Sequence, residues 1–247
     1  MSGHQSDQPR RRVRSNLTFP SGWGETPRVT EVFFLDTDDY TFGSDVRTLV
    51  WELVADIEPR VRACLPMLPS HLNLTLLPTR LTIPETGHSG VTHSKDWIQL
   101  GVNPWDKRGV TAILRSTLQA TFAHEANHAA RLAILGSDAY DGRIISAAVF
   151  EGLATVFQGE LTPDRPPWTQ YDESVVDEWI QELIDLPLGT DARPWRFNHP
   201  DGRRWIVYRA GTRLIEKAKA VTGGLAPDLV GTQTDELLEL LDLHGRS

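Results

Sequence analysis

The segment His124-Glu125-Ala126-Asn127-His128 constrains the fold and chemistry of this chain more than any other. In a helix, residues four apart lie on the same face, so both imidazoles can reach a single metal ion. The glutamate beside the first histidine can then act as a general base toward a water molecule activated by that metal. The segment therefore predicts a metal helix, with His124 and His128 as ligands and Glu125 as the base.

The residues around this segment place it on the apolar side of the helix. Apolar side chains recur at helical spacing and form one stripe: Val110, Ile113, Leu114, Leu118, Phe122, Ala129, Leu132 and Leu135. The histidines and the glutamate fall inside this stripe, whereas Ser116, Gln119 and Asn127 fall on the opposite face. A buried carboxylate without partners costs on the order of several kcal/mol, and a metal ion with its water supplies those partners.

A third ligand is predicted on the next helix. The metal helix should end near Leu135, before Gly136, and a second helix should cover about residues 141–159. If the two helices are antiparallel, His128 lies about 10 Å before the turn and Glu151 about 14 Å after it, at ~1.5 Å per residue. Glu151 also stands in a run that is apolar on nearly every side. Two histidines and one glutamate, with a fourth position open, form a catalytic zinc arrangement.

These motifs together resemble a known class of enzymes. His124-Glu125-x-x-His128 followed by Glu151-Gly152-Leu153-Ala154 is similar to the gluzincin class of zinc metallopeptidases. Within that class, the chain resembles the DUF2268 family of predicted zinc-dependent proteases, which also carry a helix with Tyr-x-x-Gly, as in Tyr208-Arg209-Ala210-Gly211. The resemblance covers roughly residues 30–241. It implies a zincin-like domain, one Zn²⁺ per chain and a peptide or protein as substrate.

The resemblance also gives Tyr208 a possible catalytic role. Several gluzincins use a tyrosine or histidine of a later helix to donate a hydrogen bond to the oxyanion of the tetrahedral intermediate. The alternative is a tyrosine at the edge of the core, packed beside Ile206 and Leu214. Both interpretations stay open at the level of the sequence.

Periodicity along the chain predicts an α+β fold, with a small sheet of about three strands packed on a mainly helical body around the metal helix. Strands are predicted at 30–35, 72–76 and 97–102, and further helices at 44–64, 173–186, 205–221 and 234–243. Residues 78–95 and 187–202, which are rich in Gly and Pro, are predicted to be loops. The resemblance implies that strand 97–102 is the sheet edge, along which an extended substrate would be added as a strand.

Composition limits the partners and the location of the protein. The net charge of −8 argues against nucleic acid as a partner, and no apolar run approaches the ~20 residues of a membrane span. The single cysteine, Cys64, fits a reducing compartment, and no secretory signal is expected, so the predicted location is cytoplasmic. Residues 1–28, with five arginines against Asp7 and Glu25, are predicted to be a disordered basic tail, and 29–247 a single domain.

Three alternatives remain beside the peptidase hypothesis. The same residues could hydrolyse a non-peptide amide. The protein could also be a non-catalytic zinc-binding or regulatory module, in which His88, His93 or His199 fills the fourth position. Finally, the motif could be accidental, with both histidines hydrogen-bonded in an ordinary core. The ligand types also suit other divalent ions, including iron, and the sequence predicts neither cleavage preference nor oligomeric state.

Overall fold

The computed structural model describes residues 29–245, which form a four-stranded sheet and a helical body. The strands are β1 (Val29–Phe34), β2 (His71–Pro78), β3 (His88–Ser94) and β4 (Trp97–Val102). The α-helices are α1 (Ser44–Cys64), α2 (Val110–Leu135), α3 (Ile144–Leu161), α4 (Val176–Asp185), α5 (Ala192–Arg196), α6 (Ile206–Thr222) and α7 (Thr234–Leu240). The predicted α+β class is confirmed. The predicted basic tail, residues 1–28, lies outside the described residues.

The sheet has the strand order β1-β2-β4-β3, and only β3 runs antiparallel to its neighbour. Parallel strands need a crossover connection, and α1 provides it between β1 and β2. Leu72, Leu74 and Leu76 of β2 are fully buried, as their alternation with polar residues predicts. Helices α1 and α2 pack against each other and against the sheet. The sheet thereby forms one side of the core and supports the metal helix.

The sheet has four strands where about three were predicted, because β3 forms inside the segment 78–95 that was predicted as a loop. Its sequence, His-Ser-Gly-Val-Thr-His-Ser, lacks the apolar alternation of a half-buried strand. An edge strand can dispense with that pattern because main-chain hydrogen bonds to a single neighbour hold it. Strand β4 consequently lies between β2 and β3 and is not the sheet edge, contrary to expectation. Helix α5 likewise forms inside the predicted loop 187–202.

Helix α2 is enclosed at its centre, where residues 120–131 are all buried. It packs against α1, against β3 and β4, and against α3. Asn127, which the sequence placed on a polar face, is also completely buried. The apolar stripe is therefore only one side of a helix that neighbours surround, and polar groups on any face of this central segment lie inside the protein.

Two glycines allow α3 and α6 to approach each other closely. A Cβ atom at Gly152 would overlap the main chain of Gly211, and a Cβ at Gly211 would overlap the carbonyl oxygen of Ala148. Gly152 directly follows Glu151, and Gly211 lies one turn after Tyr208. The Glu-Gly and Tyr-x-x-Gly segments therefore meet at one helix contact, which carries Glu151 and Tyr208 toward the same side of the fold.

Within residues 29–245, α3 is the one helix long and apolar enough to cross a membrane, although the sequence suggested no such run. Of its 18 residues, 78% are buried inside the fold. Its apolar character has a structural reason, because α3 packs against both α2 and α6. These properties are those of a core helix.

The glycine contact generates a prediction about stability. Replacing Gly152 by alanine should lower the free energy of unfolding by about 1–3 kcal/mol, because the added methyl group forces α3 and α6 apart. Gly159→Ala on the same helix is the matched control, since its Cβ would meet only the flexible end of Arg165, at 3.3 Å. Urea denaturation followed by circular dichroism measures both. Equal stability of the two variants would contradict the close contact.

Candidate active site

Two imidazole rings project from successive turns of α2 toward one carboxylate of α3. The Nε2 atom of His124 lies 3.2 Å from Oε2 of Glu151, and Nε2 of His128 lies 3.4 Å from the same oxygen. The two rings are nearly perpendicular, with centroids 4.7 Å apart. All three side chains are buried. The structure thus brings together the three residues that the sequence proposed as metal ligands.

Local structure explains how these groups converge. Helix α2 ends at Gly136, whose φ of 58° is a conformation that glycine adopts easily. The chain then reverses, and α3 packs against α2. The ring of Phe150 stacks on the ring of His128 at a centroid distance of 3.9 Å and an angle of 7°. Since Nδ1 of His128 has no hydrogen-bond partner within the described residues, this stacking and the contact of Nε2 with Glu151 orient the ring.

The carboxylate of Glu151 is held in its charged form. Burial opposes ionisation, but hydrogen bonds and charge interactions with His124 and His128 outweigh it and keep the pKa of Glu151 well below its usual range. On the opposite side, Nη1 of Arg196 lies 3.9 Å from Oε1 of Glu151. Burial lowers the pKa of His124, yet its contacts with the two neighbouring glutamates raise it overall. An anionic carboxylate between two imidazoles is the form that can bind a cation.

The spacing and chemistry of these donors fit a zinc ion. Zinc bonds of about 2.0–2.1 Å in a tetrahedron place neighbouring ligand atoms about 3.3 Å apart. The two separations that end on Glu151 Oε2 are 3.2 and 3.4 Å. Two imidazoles and one carboxylate are also a ligand set that zinc takes in sites with an open position. Both separations therefore match the spacing between neighbouring ligands of a tetrahedral zinc ion.

Glu125 is positioned by the edge strand β3. The hydroxyl group of Thr92 lies 2.7 Å from Oε2 of Glu125, to which it donates a hydrogen bond, and 2.9 Å from the main-chain oxygen of the same residue. Gly90, on the same face of β3, leaves room for the carboxylate, because a Cβ there would overlap Oε1 of Glu125. Strand β3 therefore supports the predicted base directly.

Two carboxylates border the pair of histidines, and their contacts distinguish them. Ligand atoms of His124, Glu125 and His128 lie within 4.8 Å of one another, so distance alone does not exclude Glu125 as a ligand. Glu151, however, contacts Nε2 of both histidines. Glu125 is instead engaged by Thr92. This difference favours Glu151 as the third ligand and leaves Glu125 for proton transfer.

A cavity opens beside His124 and Glu125. Its walls consist of Ile83, His88, Gly90, Thr121, His124, Glu125, Gln158, Asp164, Trp168 and Tyr208. Tyr208, in the first turn of α6, thus shares this cavity with the predicted base and the first histidine ligand. Burial, followed by the negative charge of Glu151, raises the pKa of Tyr208 well above its usual value. The phenol therefore keeps its proton and can donate a hydrogen bond.

The three histidines proposed as a fourth ligand lie in different places. His88 lines the cavity, but its Nε2 is 2.5 Å from the hydroxyl of Thr121, and burial lowers its pKa to about 4. His93 contacts Gln99 outside the cavity, and His199 pairs with Asp201 at 2.9 Å. Among residues 29–245, none of the three joins the cluster of potential ligands.

Comparison with protein families gives an independent result. The sequence model of DUF2268, described as predicted zinc-dependent proteases, matches residues 51–195, more than half of the chain. The chain belongs to the DUF2268 family. The matched region includes His124, Glu125, His128 and Glu151 and ends just before Arg196, so Tyr208 lies beyond it. No curated protein matches the sequence of this DUF2268 protein.

Several residues at the site of this DUF2268 protein were not predicted from its sequence. Gly90 and Thr92 belong to a strand without apolar alternation, so nothing in the single sequence connects them with Glu125. Asp164 and Arg196 come from segments after α3 whose spatial position depends on tertiary packing. A carboxylate in a Pro-rich segment and an arginine near a loop are ordinary surface residues by sequence, and only the fold shows that they approach the site.

The contact between β3 and Glu125 generates a prediction. Thr92→Val removes the hydroxyl but keeps the shape, so kcat for peptide hydrolysis should fall about tenfold to hundredfold, as expected for loss of a hydrogen bond to a charged group. Because Thr92 positions Glu125 without contacting the metal ligands, zinc content and KM should stay unchanged. Thr92→Ser should restore most of kcat. Steady-state kinetics with elemental analysis tests this, and a valine variant as active as the serine variant would refute the positioning role.

Proposed function

We propose that this protein is a zinc-dependent peptidase in which His124, His128 and Glu151 hold one zinc ion per chain. The observation that carries the proposal is the convergence of two Nε2 atoms on one carboxylate oxygen, at the spacing of zinc ligands, with a second carboxylate alongside. Membership in a family of predicted zinc-dependent proteases supports it.

In this mechanism Glu125 and Tyr208 have separate roles beside the zinc ion. Zinc, when bound, acts as a Lewis acid that polarises the peptide carbonyl and lowers the pKa of the attacking water. Glu125, held by Thr92 through Oε2, takes the proton of that water and passes it to the leaving amine. Tyr208, protonated in the wall of the same cavity, donates its hydroxyl proton in a hydrogen bond to the oxygen that becomes negative.

Strand β3 offers a binding site for an extended substrate. It is the last strand of the described sheet. Beyond the bridge between Ile83 and His88 at its start, its outer edge has main-chain N–H and C=O groups that no other described strand pairs with. A peptide can bind such an edge as an additional strand. Because Gly90 and Thr92 of β3 contact Glu125, a peptide on this edge would pass the catalytic cavity. This assignment replaces the earlier expectation that β4 binds the substrate.

The alternatives are weighed by the same geometry. A non-catalytic zinc module would need a fourth protein ligand. Among the described residues, none of His88, His93 and His199 joins the cluster of potential ligands, and Glu125, which does, is engaged by Thr92. Hydrolysis of a non-peptide amide would use the same residues, so only a substrate screen separates it from peptidase action. The cytoplasmic location and the lack of a nucleic-acid or membrane partner stay predictions from the sequence.

The role of Glu125 is tested by substitution with its isostere. Glu125→Gln should lower the rate of peptide hydrolysis about a hundredfold to ten-thousandfold, because the amide cannot accept the proton. Zinc content should stay near that of the wild type, since the three ligands remain. Glu178→Gln, at an exposed position of α4, is the matched control and should be fully active. Hydrolysis at the wild-type rate by the zinc-bound Glu125→Gln variant would disprove the mechanism.

A further inference from the structure

A second chemical feature of the cavity is the carboxylate of Asp164, in the segment after α3. Asp164 is half-buried and lines the cavity together with His124, Glu125 and Tyr208. The ion pairs of the described residues do not include it. Its carboxylate accepts a long hydrogen bond, 3.5 Å, from Nε2 of Gln158 and interacts with the main chain of Arg165. The mechanism of hydrolysis gives this carboxylate no role.

Arg165, the nearest cation in the sequence, forms no ion pair with the side chain of Asp164 within the described residues. The guanidinium group of Arg165 donates hydrogen bonds to the main-chain oxygens of Gly159, Thr162 and Asp164, at 2.8–3.0 Å. Arg165 is therefore engaged in capping the carboxyl end of α3. Burial raises the pKa of Asp164, although the neighbouring Arg165 partly opposes this effect. A carboxylate in this position gains stability when a cation enters the cavity.

The rest of the cavity wall agrees with a cationic ligand. Among residues 29–245, no lysine or arginine lines it, and His88 is neutral near pH 7 because its pKa is about 4. Arg196, whose Nη1 lies 3.9 Å from Oε1 of Glu151, is not part of the wall. Trp168 adds an indole ring to the wall, and such a ring can pack against the alkyl chain of a lysine or arginine or attract its positive charge.

We propose that Asp164 forms a specificity subsite that binds a positively charged nitrogen group of the substrate beside the catalytic centre. The group is either the side chain of a lysine or arginine or the ammonium group of the peptide N-terminus, since both present the same chemistry to a carboxylate. The inference rests on the proposed function, because it names the class of peptide that the same cavity accepts.

The test uses short alanine-based peptides, with blocked ends, in which one lysine is moved through every position. A matched set carries norleucine, which has a similar hydrocarbon chain without the ammonium group, and a third set has a free N-terminus. Hydrolysis is measured as kcat/KM with the wild-type protein. Binding is measured by calorimetry with the zinc-loaded Glu125→Gln variant, so that recognition is followed without turnover.

The wild type should prefer the cationic peptides over the norleucine peptides about tenfold or more, as for a hydrogen bond to a charged group. Asp164→Asn should abolish the preference and Asp164→Glu should retain it. Asp172→Asn, which removes the same charge at an exposed position outside the cavity, should leave it unchanged. The set with the free N-terminus shows whether the recognised group is a side chain or the terminal ammonium.

The outcomes separate this inference from the proposed function. Hydrolysis with equal kcat/KM for lysine and norleucine peptides, or a preference that persists in Asp164→Asn, would overturn the subsite and leave the peptidase intact. Cation-selective binding that depends on Asp164, without hydrolysis of any peptide, would support the subsite and reject the peptidase. If the protein shows neither selective binding nor selective hydrolysis of the cationic peptides, the inference is rejected.

Discussion

The contact between the carboxylate of Glu151 and the imidazoles of His124 and His128 is the interaction on which the rest of the site depends. Without partners, a charge at 6% exposure would destabilise the fold by several kcal/mol in order of magnitude. Its distances to the two Nε2 atoms, 3.2 and 3.4 Å, are close to the spacing of zinc ligands. The same geometry thus explains how a charge is tolerated in an apolar helix and why a metal fits there.

Helix α2, the contact between α3 and α6, and strand β3 together position the residues of the site. Helix α2 is buried over residues 120–131, so its histidines face other elements rather than solvent. The contact of Gly152 with Gly211 joins the helix of Glu151 to the helix of Tyr208. Strand β3 approaches from the sheet, where Thr92 binds Glu125. The ligands, the base and the hydrogen-bond donor therefore lie on α2, α3 and α6, and direct contacts between neighbouring elements fix their relative positions.

The sequence predicted much of this arrangement because the strongest signals were local. Four-residue spacing placed His124 and His128 on one face, and counting residues around the turn at Gly136 placed Glu151 at nearly the same level. Other parts were not predictable. Strand β3 is polar and is held by main-chain bonds, so its composition indicated a loop. Asn127 falls outside the apolar stripe, yet neighbouring elements enclose it. Asp164 reaches the cavity only through tertiary packing, which a single sequence does not reveal.

Metal content is the most direct measure of whether Glu151, rather than Glu125, completes the site. Elemental analysis should find about one zinc per chain in the wild type and in Glu125→Gln, and a clear loss in the isosteric Glu151→Gln. The contrast between these two variants is informative because both remove one buried negative charge next to the same histidines. A wild type without metal after incubation with zinc, or zinc lost from Glu125→Gln and kept by Glu151→Gln, would contradict the account.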